Sequence, residues 1–165
     1  MAKKKKGLSL KVLFALISAL LGVVAICLMA APAAVVKDTG LTYSGAQLTF
    51  GYTREGILVN AKVFNFSFLN LLPYILVLVG LVFSILTVLG KLGKFAPFVS
   101  AGCYLAAGVL FFLVIIMCSP YTAVDSGDLA DAAKELYSLG VGAIVSGILG
   151  ILASACSAAV WFVKK

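Results

Sequence analysis

Residues 136–163 read LYSLGVGAIVSGILGILASACSAAVWFV, a run of 28 residues between Glu135 and Lys164 without a formal charge. A membrane-crossing helix needs about 20 apolar residues at about 1.5 Å each, so the run holds one span and has no room for two. Gly142, Ser146, Gly150, Ser154 and Ala158 recur within it at every fourth position, and Ala143 and Gly147 widen the stripe. Small residues at this spacing let a neighbouring helix come close where water cannot drive association. The stripe is therefore a helix-packing seam, facing either its own bundle or another subunit.

The same ruler applies upstream. Lys11 to Lys37 encloses 25 uncharged residues, Lys62 to Lys91 encloses 28 and Lys94 to Asp125 encloses 30. The four intervals predict spans near 11–31, 71–90, 96–118 and 137–162. Pro73 and Pro97 fall at the expected helix starts, where a missing N–H costs nothing. Pro32 and Pro120 fall just past the expected ends. No proline is then expected inside a span, and broken helices of the transporter kind are not signalled. The third span offers Gly102, Ala106 and Leu110 as a packing face, with Cys103, Ala107 and Gly108 beside it. The first offers Ala15, Ser18, Ala19 and Gly22.

Composition agrees. Of 165 residues, 63% are apolar and 12% are charged, with mean hydropathy +1.17. Soluble domains are about half apolar and about a quarter charged. A soluble enzyme, a disordered chain and a nucleic-acid-binding domain are poor fits. The expected fold class is all-α transmembrane: one domain, residues 1–165, forming a four-helix bundle with a small extracellular β-hairpin or sheet between the first two helices.

Charge sets the expected orientation. The N-terminus (Lys3, Lys4, Lys5, Lys6, Lys11), the short loop (Lys91, Lys94) and the tail (Lys164, Lys165) hold nine bases and no acid. The other two loops hold four bases (Lys37, Arg54, Lys62, Lys134) and all six acids (Asp38, Glu55, Asp125, Asp128, Asp131, Glu135). The positive-inside rule then puts both termini in the cytoplasm of a multi-pass plasma-membrane protein. The N-terminal lysines are also placed to meet anionic lipid headgroups of the bilayer; no nucleic-acid partner is expected. Tyr74, Tyr121 and Tyr137 are expected in the outer interfacial belt, Phe95 and Trp161 in the inner one.

The larger outer loop, 37–69, alternates in period two. Leu48, Phe50 and Tyr52 face one way and Gln47, Thr49, Gly51 and Thr53 the other, as in a half-covered strand. Arg54-Glu55-Gly56 turns the chain and residues 57–64 alternate again, which predicts a hairpin, with a third short strand near Tyr43. The acidic loop, 119–136, contains Ser126-Gly127-Asp128-Leu129, a plausible helix start. Asp128, Asp131 and Glu135 then share a face. Leu48, Phe50, Tyr52, Val59, Asp128, Asp131 and Glu135 make up the candidate outer partner surface.

The chain has no histidine, and no Asp, Glu, Lys or Arg lies within an expected span. Pumps and proton-coupled carriers use an ionisable group at depth, and an intramembrane serine hydrolase needs a base beside its serine. Neither is available, so no catalytic residue, cofactor or metal site is expected. Ser84, Thr87, Ser100 and Ser146 are expected to bond to carbonyls of their own helices. Cys27, Cys103, Cys118 and Cys156 show no Cys-x-x-Cys spacing and are expected to pack as small apolar groups.

Two cytoplasmic ends, four spans, a longer β-containing loop and a shorter second loop resemble the tetraspan architecture of claudin-like proteins. The corresponding loop here has Gly40-Leu41-Thr42 and neither tryptophan nor cysteine, so the claudin signature itself is absent. The basic start, Phe64-Asn65-Phe66-Ser67-Phe68 entering the second span and the Ala/Gly-rich fourth span look like small bacterial four-helix membrane proteins of unassigned activity. The expected role is non-enzymatic: a structural or interaction protein presenting its outer loop to a membrane-protein partner or a second copy. The alternative is an oligomeric channel or carrier for a neutral or lipophilic solute, or an accessory subunit of a transporter.

Overall fold

A computed structural model describes residues 9–55, 61–90, 92–122 and 127–163, without the side chains of Asp128 and Ala130. Helix α1 spans Leu10–Cys27 and ends in a 3-10 turn, Leu28–Ala30. Strands β1 (Pro32–Val36) and β2 (Thr42–Ser44), helix α2 (Gly45–Phe50) and strands β3 (Tyr52–Arg54) and β4 (Ala61–Phe64) follow. Then come α3 (Phe68–Val88), α4 (Phe95–Phe112), one-turn α5 (Val114–Met117), α6 (Gly127–Glu135), β5 (Tyr137–Leu139) and α7 (Val141–Phe162).

Helices α1, α3, α4 and α7 are each long and apolar enough to cross a bilayer. They alternate in direction and close a square in which α1 packs on α3, α3 on α4, α4 on α7 and α7 on α1. The starts of α1 and α4 and the ends of α3 and α7 therefore share one end of the bundle, called here the lysine end. All five strands lie at the opposite, cap end. Leucines, valines and isoleucines such as Leu20, Val82, Val109 and Ile148 are exposed around the bundle, a surface suited to lipid and not to water.

The expected spans need three adjustments. α3 begins at Phe68 because the Ser67 hydroxyl accepts from the Asn70 amide and caps it. That early start puts Pro73 inside the helix, contrary to expectation; the amide it lacks is one that would have bonded Leu69. The third span is interrupted at Leu113, between α4 and α5. The fourth starts only at Val141, since 137–139 pair as a strand with β1.

The small-residue seam on α7 lies inside the molecule for four of its five members. Gly142, Ser146, Gly150 and Ser154 are buried, and Ala158 is partly so. A Cβ at Gly150 would lie 2.9 Å from Gly108 Cα and 3.1 Å from the Tyr104 carbonyl. Ser154 donates to the Ala101 carbonyl at 2.8 Å, and Ser146 to the Ala25 carbonyl of α1 at 3.5 Å. Of the residues expected to pack on α4, Gly102 and Ala106 are exposed and Leu110 and Cys103 partly buried, while the flanking Ala107 and Gly108 lie on the buried face with Ser100, Tyr104 and Phe111. Searching for small residues misses a helix that turns an aromatic inward onto the glycines of its neighbours.

Leucine at position 150 would collide with backbone, which cannot swing aside. Gly150→Leu is expected to lower bundle stability by about 2–3 kcal/mol, whereas Gly102→Ala, with nothing within 4 Å of its Cβ, should be neutral. Reversible unfolding in mixed detergent micelles reads both.

Candidate functional site

Each spanning helix brings one serine to the same level of the bundle axis. Ser18 of α1 lies 2.6 Å from Ser157 of α7 and 3.1 Å from Ser84 of α3. Ser100 of α4 closes the circuit, 2.7 Å from Ser84 and 3.1 Å from Ser157. Its one proton goes to the Gly80 carbonyl at 2.9 Å, so Ser100 accepts from Ser84 and Ser157 and one of the two Ser18 contacts is a close approach without a hydrogen. All four are buried. The expectation that Ser84, Ser100 and Ser146 bond within their own helices does not hold. Only Thr87 does so, to the Phe83 carbonyl at 2.9 Å. Ser84 instead meets hydroxyls of α1 and α4, Ser100 meets hydroxyls and the Gly80 carbonyl of α3, and Ser146 the Ala25 carbonyl of α1.

One turn toward the cap, the same four positions become Gly22, Gly80, Tyr104 and Ala153. The Tyr104 ring fills the axis: a Cβ at Gly22 would lie 2.6 Å from its hydroxyl oxygen, and one at Gly80 would lie 3.0 Å from its ring. The Tyr104 hydroxyl is buried and faces the Ser18 and Ser84 hydroxyls at longer range than the serines hold one another, and both polar atoms of the Asn70 amide nearer the cap are buried without a partner among the described residues. Ala25, Val77, Ala107 and Phe111 pack on Tyr104 from the cap side, and the Tyr74 ring meets Phe111 edge-on at 5.0 Å. Tyr74, expected in an interfacial belt, is thus a core residue.

Serine hydroxyls without a neighbouring base hold their protons. The ring can fix rotation and register, since sliding or turning any one helix leaves hydroxyls unpaired in an apolar interior. Ser100 has three partners. Ser100→Ala is expected to cost about 1–2 kcal/mol, toward the upper end for interhelical hydrogen bonds in membranes. Tyr104→Phe removes a hydroxyl whose contacts with Ser18 and Ser84 are long and should change stability by less than Ser100→Ala, within about 1 kcal/mol. The same unfolding assay compares the two.

The cap knits both long connections together. β1 is central in a three-stranded antiparallel sheet, order β2-β1-β5, with Ala34 opposite both Tyr43 and Leu139. β3 and β4 pair antiparallel, Tyr52 opposite Phe64 and Arg54 opposite Ala61. Segment 119–121 docks on β4 through Asn65 N–H to the Ser119 carbonyl and Tyr121 N–H to the Val63 carbonyl. Four strands give one aromatic each to the junction of the two sheets. Tyr43 lies 5.0 Å from Phe64, 5.9 Å from Tyr52 and 6.1 Å from Tyr137 between ring centres. Ala33, Ala34, Leu48, Val114, Cys118 and Ala143 complete this second core.

The predicted hairpin is present in part. β3 and β4 form it, and residues 56–60, including Val59, lie outside the described residues. The strand expected over 47–53 is mostly helix. Ser44 and Gln47 form a reciprocal capping box that starts α2, and Gly51, at φ 88°, ends it. A Ser-x-x-Gln spacing was the available signal; alternation over a few residues is weaker than a capped turn. Leu48 consequently lies in the cap core and offers nothing to a partner, whereas Phe50 is 58% exposed. Tyr52 is half-buried. Asp131 is exposed and pairs with Lys134 at 3.0 Å, and Glu135 is exposed. A cleft of about 200 Å³ opens beside β2, lined by Leu41, Thr42, Tyr43, Gln47, Tyr52 and Arg54.

All four cysteines are free thiols. Burial pushes the Cys118 thiol up to about 11, against a smaller opposing pull from the Lys134 charge. The thiolate is the reactive form, and burial disfavours it at Cys118. N-ethylmaleimide should leave Cys118 unmodified in the folded protein and label it on unfolding, which peptide mass mapping resolves. No protein-family model, curated protein or solved structure matches the chain, so its functional reading rests on its own geometry.

Proposed function

We propose that the chain is a non-enzymatic plasma-membrane protein whose helical bundle is a rigid pedestal for the cap, which it presents to another membrane protein or a second copy. The observation that carries this is the cleft beside β2. β2 is an edge strand, bonded on one side to β1, and such an edge accepts an added strand. Arg54 lines the cleft and has no ion-pair partner among the described residues, which suits a carboxylate on the incoming segment. Leu41, Phe50, Phe66 and Tyr121 add exposed apolar surface on the cap. The nine-to-four distribution of bases favours both termini in the cytoplasm and the cap outside, with the lysine end on the anionic leaflet.

The bundle supports the same reading. The four spanning helices contain no Asp, Glu, Arg or His, and Lys11, in the first turn of α1, is their one lysine. The interior provides a lock of serines and a tyrosine, without a charge to move.

A photo-crosslinking side chain at Phe50 is expected to give one discrete adduct in intact membranes, with a defined protein or a second copy, while the same probe at lipid-facing Val82 gives none. Arg54→Glu should reduce the Phe50 adduct roughly tenfold, as for loss of one charge-assisted contact of about 1.5 kcal/mol. No Phe50 adduct, or solute flux through liposomes holding the pure protein, would refute the reading.

A further inference from the structure

Two cavities meet at the lysine end. The first is an apolar groove of about 370 Å³ between α4 and α7, lined by Phe98, Ala101, Gly102, Leu105 and Ala158 among others. It faces outward from the bundle and runs along α4 from Pro97 to Leu105, about 12 Å of helix axis. The second, about 490 Å³, lies at the bundle end among Lys11, Thr87, Gly90, Gly93, Lys94 and Val160. Pro97 and Trp161 line both, so the apolar groove and the pocket that holds the two lysines adjoin at these two side chains. The walls are fixed: the Trp161 indole N–H donates to the Lys94 carbonyl at 3.0 Å, and its ring lies 5.8 Å from that of Phe98.

Among the described residues the charge of the pocket has no ion-pair partner. All six acids lie in the two connections at the cap end, and the one ion pair among the described residues is Lys134–Asp131, also there. The starts of α1 and α4 add about half a positive charge each, and the ends of α3 and α7 about half a negative charge each. The helix ends cancel, and the two formal charges of Lys11 and Lys94 remain. A ligand matching the whole shape has an anionic head and an apolar tail, and enters sideways from the bilayer.

We propose that this composite cavity is a binding site for one anionic phospholipid. Its headgroup phosphate lies between Lys11 and Lys94, and one acyl chain lies in the α4–α7 groove against Phe98, Gly102 and Leu105. The inference rests on the bilayer placement of the chain and turns general lipid contact at the lysine end into a defined site; it does not depend on what the cap binds.

Trp161 is the only tryptophan in the chain and lines both cavities, so its fluorescence reports occupancy. The full-length protein is reconstituted into phosphatidylcholine vesicles containing a small fraction of acyl-brominated phosphatidylglycerol or, in parallel, acyl-brominated phosphatidylcholine. Brominated phosphatidylglycerol should quench Trp161 at a several-fold lower lipid fraction. Lys11→Gln and Lys94→Gln should each weaken that preference about fivefold, the factor for roughly 1 kcal/mol per lysine. Replacing Lys3–Lys6 with glutamine should leave most of it. Gly102→Leu, at a position with open space around its Cβ, should fill the groove and reduce quenching while the unfolding transition stays in place. Equal quenching by the two lipids, or a preference that follows Lys3–Lys6 and ignores Lys11 and Lys94, overturns the site. Displacement by millimolar inorganic phosphate would assign the pocket to a soluble anion and overturn the lipid. Absence of quenching by either lipid would place the bundle outside the bilayer and overturn the membrane reading as well.

Discussion

Tyr104 can occupy the axis of the bundle because α1 and α3 present glycines to it. A methyl group at Gly22 would touch its hydroxyl, and one at Gly80 its ring. One turn away the same two helices, with α4 and α7, present the four serines whose hydroxyls meet in a ring. The two layers act together. Steric fit at Tyr104 sets how close the helices come, and the hydroxyls set how far each may turn or slide. Outer surfaces rich in leucine, valine and isoleucine cannot do this, since one apolar face resembles another to a lipid chain. Discrimination among helix rotations has to come from the interior.

The cap depends on that geometry. β1 follows the 3-10 turn that closes α1, and β5 leads directly into α7, so their pairing needs α1 and α7 to be neighbours. The β3–β4 hairpin would be marginal alone. It is held because Phe64 packs among Tyr43, Tyr137, Val114 and Cys118, which bring together β2, β5 and the extension of α4. Two connections far apart in the chain thereby form one platform, and rigidity at the cap comes from order in the bundle below it.

The two ends differ in chemistry. The lysine end has bases without acids and a groove that opens sideways between α4 and α7. The cap end has the acids of the described residues, an edge strand and a cleft containing Arg54. The proposed roles follow this division, with lipid bound at one end and protein at the other. The apolar middle, with no Asp, Glu, Arg or His, separates the two and offers no charged path between them.

Charge spacing along the chain determined the number and approximate position of the apolar helices, because a charge inside a bilayer is costly and its absence over 25 or more residues is legible in one dimension. The α7 seam was legible too, since four-residue spacing maps onto one face of any helix. Which face of α4 turns inward was decided only by the tertiary structure: Tyr104 is a poor interface residue until two glycines on other helices are placed opposite it. The serines were equally opaque. A serine in a helix has its own carbonyl within reach, and the hydroxyls and carbonyls of other helices that Ser84, Ser100 and Ser146 bond instead are in place only once four helices are assembled. The strand read over 47–53 failed for the opposite reason, because a local signal, the Ser44–Gln47 capping box, outweighed an alternation too short to define a sheet.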